Sequence, residues 1–235
     1  MKKIVLALMV ACLITSCSEP SANQMVLTGN IAGLKKGKLI LQRIQDSVLV
    51  DVDSLHLRGS GTFTFNQELE SPEVFYLSLI KADENDYNDH ITFFGEPGTI
   101  NVKTTWNAFD RNAVITGSKS NDKLQECLEV LTKFNTRSLE LMQESLKPDF
   151  QNDPKIMDSL IALNDKNTLR RYLYVLNFAL SNTDSYVAPY IALTEAADAQ
   201  PKFLDSINSA LSPEVASSKY GKELQAYLKT IKHTD

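Results

Sequence analysis

The chain predicts an α+β protein, with an antiparallel β-sandwich or partly open barrel first and a C-terminal α-helical domain after it. Three observations predict this order. From Met25 to Gly117, short segments rich in Val, Ile, Thr, Phe and Tyr are separated by Gly, Asn, Asp and Pro. After Gly117 the apolar period lengthens to three- and four-residue steps. Prolines at 154, 201 and 213 stand where helices begin, as their fixed φ and missing N–H allow.

The strands come in order as Met25–Ile31, Lys38–Ile44, Ser47–Asp53, Thr62–Asn66, Val74–Ile80, His90–Phe94, Thr99–Lys103 and Ala113–Thr116. Val48, Val50 and Val52 alternate with Leu49, Asp51 and Asp53, the period of a half-buried strand. Phe63 and Phe65 alternate with threonines just after the turn Arg58-Gly59-Ser60-Gly61. Pro72 and Pro97 sit at strand entrances, where a missing donor matters least. Close spacing and short turns favour antiparallel hairpins.

The helical half opens with Leu124, Cys127, Leu128, Leu131, Phe134 and Leu141 on one stripe, giving a helix from Asp122 to Lys147. Ser118 and Ser120 are placed to cap it. Asp153 caps a second helix that starts at Pro154 and runs to Asn182, with Leu160, Ile161, Tyr172, Val175, Leu176 and Ala179 inward. Ser185 is placed to cap a helix from Tyr186 to Ala197, with Pro189 in its first turn. Pro201–Leu211 and a single helix from Pro213 to Lys232 complete the half.

The amino terminus carries a different signal. Met1-Lys2-Lys3, an apolar run from Ile4 to Ile14 and the small residues before Cys17 form a lipoprotein-type export signal, residues 1–16. Cleavage between Ser16 and Cys17 leaves a thiol that takes a diacylglycerol and an amino terminus that can be acylated as well. Several acyl chains at roughly 0.8 kcal/mol per buried CH₂ make a stable anchor. An ordinary secretory signal with an incidental cysteine is the alternative. The run is too short to span a bilayer. Residues 17–24 then form the lipid anchor and a polar tether, 25–117 the β domain and 118–235 the helical domain.

The net charge of −5 becomes more negative once Lys2 and Lys3 are removed. A mildly acidic chain without a basic stripe excludes nucleic acid as a partner. It also lacks a lysine-rich face for anionic lipid, so the membrane is expected to be met through the anchor on Cys17. Of three cysteines, Cys12 goes with the signal and Cys17 with the lipid, which leaves Cys127 unable to form an intrachain disulfide. Its place on the first helix's stripe reads as core.

The polar clusters do not assemble a familiar chemistry. Gly33-Leu34-Lys35-Lys36-Gly37-Lys38 has three residues between its glycines and lacks Ser or Thr after the lysine, so it reads as a β-turn and not a phosphate loop. Asp83-Glu84-Asn85-Asp86-Tyr87-Asn88-Asp89-His90 is rich in oxygen ligands, but an EF-type loop needs glycine where Asn88 stands, and a solvated hairpin tip is expected. His56, His90 and His233 lack the close spacings of a zinc site. Ser60 sits in a tight turn and not in a nucleophile elbow. Asp51 and Asp53 share a strand face and read as exposed carboxylates. Trp106 and Phe109 read as a plug at one end of the β domain. No catalytic residue, cofactor or metal site is expected.

Several motifs follow in a recognisable order. They are Val52-Asp53-Ser54, Gly61-Thr62-Phe63-Thr64-Phe65, Pro72-Glu73-Val74-Phe75-Tyr76-Leu77, Phe93-Phe94-Gly95-Glu96-Pro97-Gly98-Thr99-Ile100 and Thr116-Gly117-Ser118-Lys119-Ser120-Asn121. The series resembles the domain-of-unknown-function 4369 family of Bacteroidetes lipoproteins. Asn182-Thr183-Asp184-Ser185, with Thr183 where the family has proline, and Ser218-Lys219-Tyr220-Gly221 extend the likeness more loosely. In that family a thioredoxin-like domain of the alkyl-hydroperoxide-reductase type commonly follows. Here the sequence stops at Asp235 without a C-x-x-C, so the resemblance carries no redox residue onto this chain.

The expected function is a lipid-anchored, non-catalytic binding or interaction module of the cell envelope, at the outer membrane on its periplasmic or its surface side. Its partner would be an envelope protein, a peptide or a glycan. The alternative is an accessory to thiol–disulfide exchange beside a separate thioredoxin-like protein. An enzyme whose polar residues converge only in the fold is the third.

Overall fold

The computed structural model describes residues 22–81, 89–151 and 153–232. Strands β1 (Gln24–Ala32), β2 (Lys36–Gln45), β3 (Val48–Arg58), β4 (Thr62–Glu68), β5 (Glu73–Lys81), β6 (Asp89–Gly95), β7 (Gly98–Thr105) and β8 (Val114–Thr116) precede seven helices. These are α1 (Lys119–Ser145), α2 (Pro148–Gln151), α3 (Pro154–Ser181), α4 (Val187–Glu195), α5 (Pro201–Ala210), α6 (Pro213–Ala216) and α7 (Lys219–Lys232). Strands first and helices after is the predicted order.

The strands form two four-stranded sheets, β4-β1-β7-β8 and β3-β2-β5-β6. Their inner faces share one apolar core that includes Met25, Leu27, Leu39, Leu41, Phe63, Phe65, Phe75, Phe93, Ile100 and Val102. This is a sandwich, not a closed barrel, and its sheets are not wholly antiparallel. β1 runs parallel to β7, with Leu27 opposite Ile100 and Gly29 opposite Val102. The rest of the chain between those two strands builds the second sheet and β4, so the parallel pair is closed by a long connection and not by a hairpin. At the crossing Gly29 is required, because a Cβ there would lie 2.3 Å from the Val102 carbonyl oxygen.

Helix α1 begins three residues earlier than the periodicity predicts. Ser118 is its N-cap and accepts the Asn121 N–H at 2.9 Å. Asp153 caps α3 as expected, accepting the Lys155 N–H at 2.9 Å. Ser185 accepts the Val187 N–H, although the capping residue proper is Tyr186. The expected single helix from Pro213 breaks into α6 and α7 at Ser217-Ser218. The Ser218 hydroxyl donates to the Val215 carbonyl at 2.6 Å and accepts the Gly221 N–H, ending one helix and starting the next. Gly221 allows the two to cross, since a Cβ would lie 2.2 Å from the Val215 carbonyl oxygen.

The helices build a second core from Leu124, Cys127, Leu131, Val175, Val187, Ile191, Leu204, Ile207 and Leu224, and it includes Val74 and Phe94 of the β half. These two residues alternate with Phe75 and Phe93, so they leave the outer face of the second sheet. The helical half therefore sits on that face. Ile161 points to solvent instead of inward, at 55% exposure, whereas Leu160 beside it is buried. Phe134 and Tyr172 are half-buried.

Candidate functional site

The joint between the sheet and the helices is where most of the buried polar groups gather. Glu73, only 4% exposed, starts β5. Its carboxylate meets Arg43 of β2 at 3.0 Å and Lys219 of α7 at 2.5 Å. Lys219 Nζ also donates to the Ile44 carbonyl at 2.6 Å. A carboxylate that deep requires pairing on both oxygens, and two cations from distant segments supply it. Beside it, burial holds the Glu223 carboxyl above its ordinary value, and Lys219 opposes the shift.

Helix side chains also complete the ends of the strands. Pairing of β2 with β5 ends at Arg43–Phe75, and Tyr220 Oη accepts the N–H of the next residue, Val74, at 3.0 Å. On the edge strand β6, the Phe94 N–H donates to Asn121 Oδ1 at 3.1 Å and the Phe94 carbonyl accepts from Ser118 Oγ at 2.8 Å. Both edge groups are thereby withdrawn from pairing with another strand. Glu96 caps α1 from outside, accepting the Lys119 N–H at 2.6 Å and the Ser120 N–H and hydroxyl at 3.2 and 2.5 Å. A carboxylate at a helix N-terminus is also favoured by the helix dipole. Phe94 packs edge-on to Tyr190 and Tyr220, with ring centroids 5.9 Å apart in each pair. Burial raises both phenols, Tyr190 to about 12.

Beyond this joint the outer face of the second sheet is partly open among the described residues. Ile40, Gln42, Ile44, Leu49, Tyr76, Ser78, Ile80 and His90 line a groove of about 450 Å³ there. Gln42 lies across its floor, accepting from Ser78 Oγ at 2.7 Å and donating to Asp51 Oδ1 at 2.7 Å. His90 stands against the edge of the Tyr76 ring, 5.9 Å between centroids. Ile80 at 44% exposure and Leu49 at 47% leave apolar surface open to water. A concave apolar wall with a few fixed polar groups is the ordinary make-up of a binding site. A more polar cleft of about 360 Å³ lies at the joint between Asp46, Glu70, Lys222 and Glu223. Its ion pairs hold the fold.

The residues singled out in the sequence are scattered. Ser16 and Cys17 lie outside the described residues, as do positions 83–88 of the acidic segment and His233. Cys127 is wholly buried, and burial with the nearby Glu195 pushes its thiol up to about 12, the behaviour of an inert core residue. Gly33 to Lys35 form the turn joining β1 to β2, with the Leu34 N–H on the Ile31 carbonyl. Ser60 accepts the Thr62 N–H within its turn. Asp51 and Asp53 are exposed, and the bulge opposite Leu41 and Gln42 falls between them. Of the expected plug only Phe109 fills the β core. Trp106 is half-exposed against Gly33. Among the described residues no cluster of three or more metal-ligating side chains occurs, and no helix is long and apolar enough to cross a membrane.

Sequence reasoning placed Ser118 only as a helix cap and missed Glu73, Glu96, Asn121, Lys219 and Tyr220, which join it in one assembly. All six lie within the segments that carry the family resemblance. A signal for Glu73 was present, since a carboxylate entering an apolar strand demands a partner. The partners were not readable, because Lys219 is 146 positions away.

The fold and the joint define an α+β protein in which a β-sandwich carries a helical half on one outer face. Residues 25–124 match the family described as a domain of unknown function, DUF4369. The match runs past the sandwich to Leu124, the first apolar core residue of α1, and so includes the Ser118 cap. No curated protein and no solved structure matches the chain.

Proposed function

We propose that this chain is a lipid-anchored binding module of the bacterial cell envelope, without catalysis of its own, whose ligand lies on the bare part of the second sheet. The groove of Ile40, Ile44, Leu49, Tyr76 and Ile80 is the observation that carries this reading. Exposed apolar surface of this kind on a rigid sheet is maintained where something binds it. Its few polar groups favour an apolar peptide or protein segment over a glycan. Anchoring at Cys17, at the outer membrane, follows from the basic start, the apolar run and the cysteine, with 17–24 as tether.

Photo-crosslinkable residues placed at Ile44 and at Ile80 in the full chain should each give one discrete adduct in cells, and none from the exposed Lys103. Absence of adducts at both positions ends the binding proposal. An adduct with a thioredoxin-like protein would select the accessory role in thiol–disulfide exchange. Cys17→Ser should release the protein from membranes or block its processing, and unchanged retention and processing would contradict the anchor.

A further inference from the structure

Helix α3 has two apolar sides, of which its own fold covers one. Val175, Phe178 and Ala179 are buried in the helical core, and Leu160 is buried nearer the start of the helix. Elsewhere on the helix Leu169, Leu173 and Leu180 are 58, 48 and 39% exposed. Positions 162, 166, 169, 173, 176 and 180 step by four and three along one row, the a and d places of successive heptads. Ala162, Leu169, Leu173 and Leu180 are open to solvent, Leu176 turns into the core and Lys166 is the only polar place. At 1.5 Å per residue the row is roughly 27 Å long.

Charge indicates what covers it. Asp165 flanks the row on one side and Arg170 on the other, and both are exposed. Among the described residues neither takes part in an ion pair. Their own helix offers none: Asp165 has Ile161, Ala162, Thr168 and Leu169 at the interacting spacings, and Arg170 has Lys166, Asn167, Leu173 and Tyr174. Lys166 repels Arg170 across one turn. In the heptad Asp165 is a g residue and Arg170 the e residue five places on. That is the pair that bridges two parallel helices, g of one to e of the other. An antiparallel pair would set Asp165 toward Asp165 and Arg170 toward Arg170.

We propose that α3 packs in parallel against α3 of a second copy of this chain, through Leu169, Leu173 and Leu180, with Asp165 of each copy paired to Arg170 of the other. The contact is two-fold and closed, so it makes a dimer and not a filament. The dimer stands independently of the groove on the sheet.

Single cysteines test it in the full, membrane-anchored chain: Leu169→Cys and Leu180→Cys on the row, Thr168→Cys off it. Cys127 is buried and adds no background. Mild oxidation in cells should link both row variants into dimers of the chain and leave Thr168→Cys monomeric. Arg170→Asp should reduce the yield from both severalfold, and adding Asp165→Arg should restore it. Failure of both row variants to link, or linking at Thr168 as efficient as on the row, overturns the dimer. Linking at only one of the two row positions overturns the parallel arrangement. An adduct of another mass in place of the dimer means that a different protein covers the row.

Discussion

The second sheet presents one outer face with two fates. At one end Val74 and Phe94 lie beneath the helices, ringed by Tyr190 and Tyr220 and fixed by the Glu73 ion pairs. At the other end Ile44, Leu49 and Ile80 meet solvent, and the polar chain of Ser78, Gln42 and Asp51 crosses the floor. The two ends have comparable apolar content. They differ in directional bonds: the covered end hands its strand-end groups to Tyr220, Asn121 and Ser118. Apolar periodicity thus states that a face will be covered, whereas the hydrogen-bonding groups beside it decide whether the cover belongs to the same chain.

Substitutions at the covered end should separate it from the bare one. Phe94→Ala removes a fully buried ring shared by sheet and helices and should lower unfolding free energy by about 3–5 kcal/mol, measured by urea denaturation. Glu73→Ala leaves Arg43 and Lys219 facing each other, each with a quarter or more of its side chain in water, so the loss should be smaller, about 2–3 kcal/mol. A subtler effect appears at high pH. Tyr190 titrates near 12 in the fold against 10 for the free phenol, so the folded state favours the neutral form. That contribution is complete below about pH 10 and is lost as pH rises through about 12. Tyr190→Phe should therefore flatten the alkaline fall in stability while leaving the neutral-pH value nearly unchanged, and an unaltered alkaline slope would contradict the assignment.

Much of this architecture was legible before any coordinates. All eight strands could be placed because inner residues such as Phe63, Phe65, Leu39 and Leu41 recur with the strand period beside clear turn residues. The parallel pairing of β1 with β7 was not legible, because alternation fixes a strand's faces but not its neighbours. The break at Ser217-Ser218 was signalled by a serine pair in an otherwise helical run, yet the close crossing at Gly221 that demands it is tertiary. Ile161 fits the inward period of α3, yet the side it occupies is open to water while Leu160 beside it is buried. Of the candidate site, Ile44 and Ile80 could be seen as strand residues. Their shared exposure depends on where the helices stop.

The contrast between the two ends is tested most directly by Ile80→Ser, read in parallel for stability and for the adduct formed from a crosslinker at Ile44. A bare binding face predicts unfolding free energy within about 0.5 kcal/mol of the parent and loss of the adduct. Retention of the adduct at parental yield, or a destabilisation approaching that of Phe94→Ala, would contradict it.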